Sequence, residues 1–128
     1  MSRNPILPRG AAGRPADLFA QAVSLHQQGL IAEAERLYLR VLAADKKHAG
    51  ALQYLAMLEG QRGNLAEAVR LLRRCVKAGP RSAEAYTNLG YALALMGQQE
   101  EAVAAYDQAL AINPSFLTAL NNRGPIQQ

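Results

Sequence analysis

The 128-residue sequence predicts an all-α fold, a solenoid of antiparallel helix pairs in which three pairs are complete and a fourth begins. Three observations carry that expectation. One helical segment is written three times: GLIAEAERLYLRVLAADK from Gly29, GNLAEAVRLLRRCVKAGP from Gly63 and GQQEEAVAAYDQALAINP from Gly97, each 34 residues after the last. Apolar residues recur at three and four, the period of a helix with one buried face. Strand formers are sparse, and with two Phe, five Tyr and no Trp any core must be built from Ala, Leu and Val.

The elements follow in order. Residues 1–14 hold three Arg, two Pro and two Gly with no helical period, and read as a disordered basic leader. The first repeat, residues 15–48, predicts helices near Asp17 to Gln28 and Ile31 to Ala44, split at Gly29. The second, residues 49–82, opens with a helix from about His48 to Gln61 that turns Leu52, Leu55 and Ala56 inward. Gly63 breaks it. Asn64-Leu65-Ala66-Glu67 then reads as an N-cap with an acid three residues on, a capping-box-like start. That helix continues to about Ala78 and stops at Gly79-Pro80.

The third repeat, residues 83–116, starts behind Ser82, whose hydroxyl suits an N-cap. Tyr86, Leu89, Gly90 and Leu93 share one face, and Gly97 ends the helix in the left-handed conformation that glycine tolerates. The next helix runs from about Gln99 to Ile112 and carries Ala102, Val103, Tyr106, Ala109 and Leu110 as its apolar stripe. Asn113-Pro114 stops it, because the residue before proline is pushed out of helical geometry. A partial fourth repeat spans residues 117–124, where Leu120 and Asn122-Arg123-Gly124 echo Tyr86 and Asn88-Leu89-Gly90. Pro125 then interrupts it, at a cost of about 3 kcal/mol inside a helix, and residues 125–128 form a tail. The stub is either the edge of a longer array or a lid in which Leu117 and Leu120 cover the last apolar face.

The repeats align without gaps. Glu33, Glu67 and Glu101 share one phase, each in a first turn where negative charge meets the positive end of the helix dipole. Ala34, Ala68 and Ala102 share the next, and Tyr38, Leu72 and Tyr106 follow four residues on. Small residues allow close approach and large ones fill the space beyond. Tyr38 and Tyr106 are therefore expected in the core, and Cys75 as a structural packing residue.

This pattern resembles the tetratricopeptide repeat (TPR) family, whose 34-residue unit is two antiparallel helices. The third repeat carries the resemblance at Tyr86, Leu89, Gly90, Leu93, Gly97, Ala102, Tyr106, Ala109, Leu110 and Pro114. The second carries it at Leu52, Leu55, Ala56, Gly63, Ala68, Leu72 and Pro80. The first has Leu18, Ala22, Leu25, Gly29, Ala34, Tyr38 and Leu42, with Lys46 where proline is usual. The resemblance covers Pro15 to Gly124 and implies a right-handed α-solenoid whose first helices line a concave face. It also implies a scaffold for protein–protein interaction, holding an extended peptide or a partner helix on that face. The residues so placed are Gln53, Tyr54, Met57 and Gln61 in the second repeat, and Glu84, Thr87, Asn88, Tyr91 and Leu95 in the third. Asn122 repeats Asn88 in the fourth. This pair resembles the asparagine ladder in the repeats of O-linked N-acetylglucosamine transferases, with Tyr54 in place of a further rung. Two other functions stand beside the first: the non-catalytic N-terminal repeat region of a larger enzyme such as a bacterial glycosyltransferase, and a structural protein that forms a homo-oligomer through its exposed array ends.

Charge and composition exclude much else. A net charge of +4 and a pI near 9.6 are mildly basic, and argue for solubility before nucleic acid. Arg70, Arg73, Arg74 and Lys77 form a stripe on the second repeat's outer helix, the pattern of a solvated face. A single cysteine permits no internal disulfide and suits a reducing cytoplasm. There is no apolar run of the roughly 20 residues a membrane helix needs, and the first residues lack the apolar segment of a secretory signal. His26 and His48 have no ligand neighbours at metal spacing. The glycines sit at helix junctions and not in a phosphate loop, and no nucleophile has a base arranged beside it. Neither enzyme activity nor a cofactor is expected. The inner-face residues are mainly neutral, without the Lys and Arg that would clamp a terminal carboxylate.

Overall fold

The computed structural model describes residues 14–79 and 81–124, with the backbone alone at Leu117. The expected leader, but for Arg14, and the tail at 125–128 lie outside these residues. The fold is an all-α helical repeat, with seven helices and no strand among the described residues. They are α1 (Pro15–Gln27), α2 (Ile31–Ala44), α3 (Ala49–Gln61), α4 (Leu65–Ala78), α5 (Ala83–Leu95), α6 (Gln99–Ile112) and α7 (Leu117–Arg123). The chain divides into two compact parts, residues 1–46 and 47–128. No helix among the described residues is long and apolar enough to cross a membrane.

In the first part α1 and α2 form one antiparallel pair. The helix begins at Pro15, two residues before the sequence signal at Asp17, because proline's fixed φ suits the first helical position. Leu18, Ala22, Ala34, Tyr38 and Val41 are buried together. The Tyr38 ring tilts against Phe19, and its hydroxyl lies within hydrogen-bond distance of His26 Nδ1, at 3.0 Å.

In the second part each helix packs on its chain neighbour from α3 to α7, and α7 also reaches α5. Leu52, Leu55, Leu72, Cys75, Leu89, Leu93, Tyr106 and Ala109 make the core. His48 lies just outside α3, not within it: its Nδ1 accepts from the Ala51 N–H at 3.1 Å. Ser82 does the same for α5, accepting from Ala85 N–H at 3.1 Å. Thirty-four residues apart, two different side chains thus satisfy the same orphan donor.

Each first helix ends in the same way. Gly29, Gly63 and Gly97 take φ of +84°, +86° and +83°. The N–H two residues past each C-cap reaches back to a carbonyl in the last turn: Leu30 to Leu25, Asn64 to Glu59, Gln98 to Leu93, all at 2.9 or 2.8 Å. The glycine N–H bonds the carbonyl three residues before it. This paired closure is the Schellman motif.

The capping box expected at Asn64 does not form. Asn64 sits at ψ 69°, as Leu30 and Gln98 sit at 71° and 74° in the equivalent bends, and its side chain makes no cap bond. Its amide instead donates to Glu59 Oε1 at 2.7 Å, while Glu67 is held by Arg70. The tight bend fixes the backbone before the cap residue can use its side chain.

Of the two residues expected to cover the last apolar face, Leu117 has its side chain outside the described residues. Ala119 is buried on α7, while Leu120 remains 45% exposed. The Arg123 guanidinium anchors α7 by gripping the Asp107 carboxylate on α6 through two nitrogens.

Candidate functional site

The first helices of the second and third repeats, α3 and α5, leave a groove between them with α4 as its floor. Small residues open it: Ala56 and Gly60, one turn apart on α3, face Ala92 on α5. The result is a cleft of about 130 Å³ whose walls also include Gln53 and Met57 from α3, Leu65, Ala68 and Leu72 from α4, and Asn88 and Leu95 from α5. A wider space of about 290 Å³ adjoins it, lined by Gln53, Tyr54, Met57, Glu84 and Asn88. Gln53, Met57 and Asn88 belong to both, so the two spaces form one groove.

Six of the expected site residues therefore come together: Gln53, Tyr54, Met57, Glu84, Asn88 and Leu95. Met57 and Leu95 present their side chains to solvent, at 41% and 54% exposure, rather than packing against helices. Asn88 and Glu84 make no hydrogen bond or ion pair among the described residues. The Gln53 side-chain oxygen Oε1 is approached by the Cys75 thiol at 4.0 Å. That thiol also reaches the Ala49 carbonyl at 3.5 Å, and burial pushes its pKa up from the ordinary 9.0.

The other four stand elsewhere. Gln61 is exposed and lines neither space. Tyr91 is 54% exposed and lies near Tyr106, not in the groove. Asn122 is exposed and lines neither space, standing instead beside the Tyr106 hydroxyl. Thr87 is 2% exposed, and its hydroxyl donates to the Ala83 carbonyl at 2.8 Å. Its expected place on the open face is corrected: a step of one residue from Asn88 turns a side chain by about 100°, which carries Thr87 into the helix interface.

Of the residues that line the cleft, the sequence marks Ala56, Ala68 and Leu72 as packing positions and does not single out Gly60 or Ala92. The available signal was the run of small side chains at one-turn spacing on two facing helices, which leaves space as readily as it allows contact.

The groove's chemistry is apolar at its base and amide at its rim. Each amide offers a donor and an acceptor, and the Met57 thioether adapts to irregular shapes. Glu84 is the one charged group among the lining residues. The basic stripe of α4 takes no part. Arg70 grips Glu67 through two nitrogens and holds its carboxyl below the ordinary range, and Arg73 pairs with Glu101 on α6 at 3.1 Å. No group of three metal-ligating side chains occurs among the described residues.

Two tetratricopeptide repeat models match the sequence, over residues 49–92 and 83–116. Together they span residues 49–116, which is 68 of 128 and more than half. No curated protein matches the chain. Among solved structures it is similar to a mutant O-GlcNAc transferase of Thermobaculum terrenum, with TM-score 0.76 and 32% identity over 89% of this chain. The chain spans only 22% of that transferase. It is similar in fold to MamA, with TM-score 0.80 and 22% identity, covering 91% of this chain and 68% of that one. It is also similar in fold to the first TPR of Spaghetti (RPAP3), which is bound to the HSP90 peptide SRMEEVD, with TM-score 0.79, 22% identity, and coverage of 86% and 87%.

Proposed function

Because the chain belongs to the tetratricopeptide repeat family, we propose that it is an interaction scaffold that holds an extended peptide segment in the α3–α5 groove. Repeats of this family are protein-interaction modules, and a peptide-bound relative in fold supports a peptide partner. One observation carries the placement: Asn88, with its amide free, stands at the edge of an apolar cleft beside the exposed Leu95. Backbone bonds to the amides and burial of one side chain would together hold a peptide without demanding a long sequence. The single buried, free cysteine suits a reducing cytoplasm as the place of work.

The test is a random heptapeptide library displayed on phage, panned against the whole chain and against a variant combining Asn88→Ala with Leu95→Lys. Circular dichroism should show unchanged helicity in the variant, since Leu95 is exposed and Asn88 is uncommitted. Peptides held by the parent and lost by the variant support the groove. Peptides retained equally by both place binding elsewhere and end this reading.

A second reading is favoured by the 32% identity to the transferase across 89% of this chain. On it, the chain is the non-catalytic repeat region of a larger glycosyltransferase. Sequencing the reading frame past Gln128 tests it: a catalytic domain downstream supports the reading, and an immediate stop codon removes it.

A further inference from the structure

Resting on the groove reading above, we infer that the preferred ligand is an extended peptide carrying one medium-sized aliphatic side chain and, a few residues away, a lysine or arginine. The aliphatic residue follows from the cleft. Its space of about 130 Å³ is walled by Ala56, Leu65, Ala68, Leu72 and Ala92, and flanked by Met57. An apolar space of about 150 Å³ takes a group the size of benzene, so a leucine or methionine side chain fits and a tryptophan does not.

The cation follows from charge complementarity. Glu84 is the one ionised group lining the groove, and no Lys or Arg lines either part of it. Glu84 has no ion-pair partner among the described residues. The contrast with α4 is informative, because there the arginines Arg70 and Arg73 are matched by Glu67 and Glu101. The molecule is basic overall, at +4, yet its groove presents only negative charge. A peptide whose only charges are acidic would meet Glu84 with repulsion and no compensating cation.

Spacing follows from the helix. Glu84 and Ala92 are eight residues apart on α5, about 12 Å along its axis. An extended peptide rises about 3.3 Å per residue. Allowing for the reach of a long basic side chain, the two recognition elements stand about two or three residues apart.

The experiment takes the peptides selected by the whole chain and measures their affinity by fluorescence anisotropy, with a labelled peptide of the same length whose only charged residues are Asp and Glu as the acidic comparison. Replacing the peptide's aliphatic residue by alanine should weaken binding about tenfold. Replacing its cation by aspartate should weaken it roughly threefold to fivefold, the scale of an exposed ion pair. In the Glu84→Lys variant the second preference should invert, while the first persists. Glu84 is exposed, so this variant keeps the fold. Selected peptides that are acidic, or that ignore the charge at position 84, overturn the inference while leaving the groove reading intact. Selected peptides that the Asn88→Ala, Leu95→Lys variant still retains overturn both.

Discussion

Replacing Gly90 with alanine sets two effects of opposite sign against each other, and the structure says which prevails. A Cβ built on Gly90 would stand 2.7, 2.8 and 2.9 Å from Cε1, Cδ1 and Cζ of Tyr106. The ring is 2% exposed and cannot swing into solvent. Overpacking of this kind costs about 1–3 kcal/mol, and three ring atoms in conflict argue for the upper half of that range. Alanine in a helix interior returns about 1 kcal/mol over glycine. The net expectation is a loss of about 1–2 kcal/mol. The second repeat supplies the compensating pair, since Ala56 and Leu72 occupy the positions of Gly90 and Tyr106. In a Tyr106→Leu background the clash is gone, so Gly90→Ala should become neutral or stabilising by up to about 1 kcal/mol. Urea unfolding followed by circular dichroism on the four members of the cycle gives the coupling. The first repeat pairs Ala22 with Tyr38, whose hydroxyl turns back toward His26 on its own first helix. Tyr106 has Ala94 at that place and lies instead against Asn122. If Gly90→Ala stabilises both backgrounds equally, the ring does not rest on Gly90 and the packing argument is refuted.

Two glycines away from the core should respond in opposite directions. Gly60 lies within α3 with nothing within 4 Å of an added Cβ, so Gly60→Ala should stabilise by up to about 1 kcal/mol. Gly97 has equal space but φ of +83°, so Gly97→Ala should destabilise by about 1–2 kcal/mol through backbone strain alone. Thermal melts that move the same way for both would contradict the backbone assignment. The Cys75 thiol, raised by burial above its ordinary 9.0, should resist a disulfide-exchange reagent at pH 8 until denaturant is added. Above pH 9 the unfolded chain sheds its thiol proton while the native chain keeps it. Stability is thus full below 9 and falls as pH rises through the raised native value. Cys75→Ala should remove that part of the slope; a slope unchanged by the substitution would show that the thiol titrates freely.

The pairs of helices were legible because their signals are local. Glycine at Gly29, Gly63 and Gly97, proline at Pro114 and three-four periodicity act within a few residues of themselves. Ser82 was recognised as a cap on the same basis, and His48 was not, because an imidazole is a rare choice for that task. Asn64 shows the limit of a motif read without its backbone: the residues fit a capping box, while the bend holds them at the wrong ψ. Thr87 and Asn88 show a second limit. Adjacent on one helix, they part between interior and groove, and the helical wheel marks the border between those faces too coarsely to assign an edge residue. Asn122 matched a register in sequence, whereas its place beside Tyr106 depends on the ring's direction. The groove itself was readable as a face but not as a volume, since the emptiness left by Ala56, Gly60 and Ala92 depends on how far apart two helices stand.

The bends after α1, α3 and α5 are each closed by bonds among six consecutive residues, as from Leu93 to Gln98. A reversal so self-contained travels with the stretch of gene that encodes it. Duplicating a segment one period long would bring a finished corner along with two new rods, and the corners already present would keep their bonds. Inserting a few residues inside a corner would sever it. Length can thus change in whole periods far more readily than by single residues.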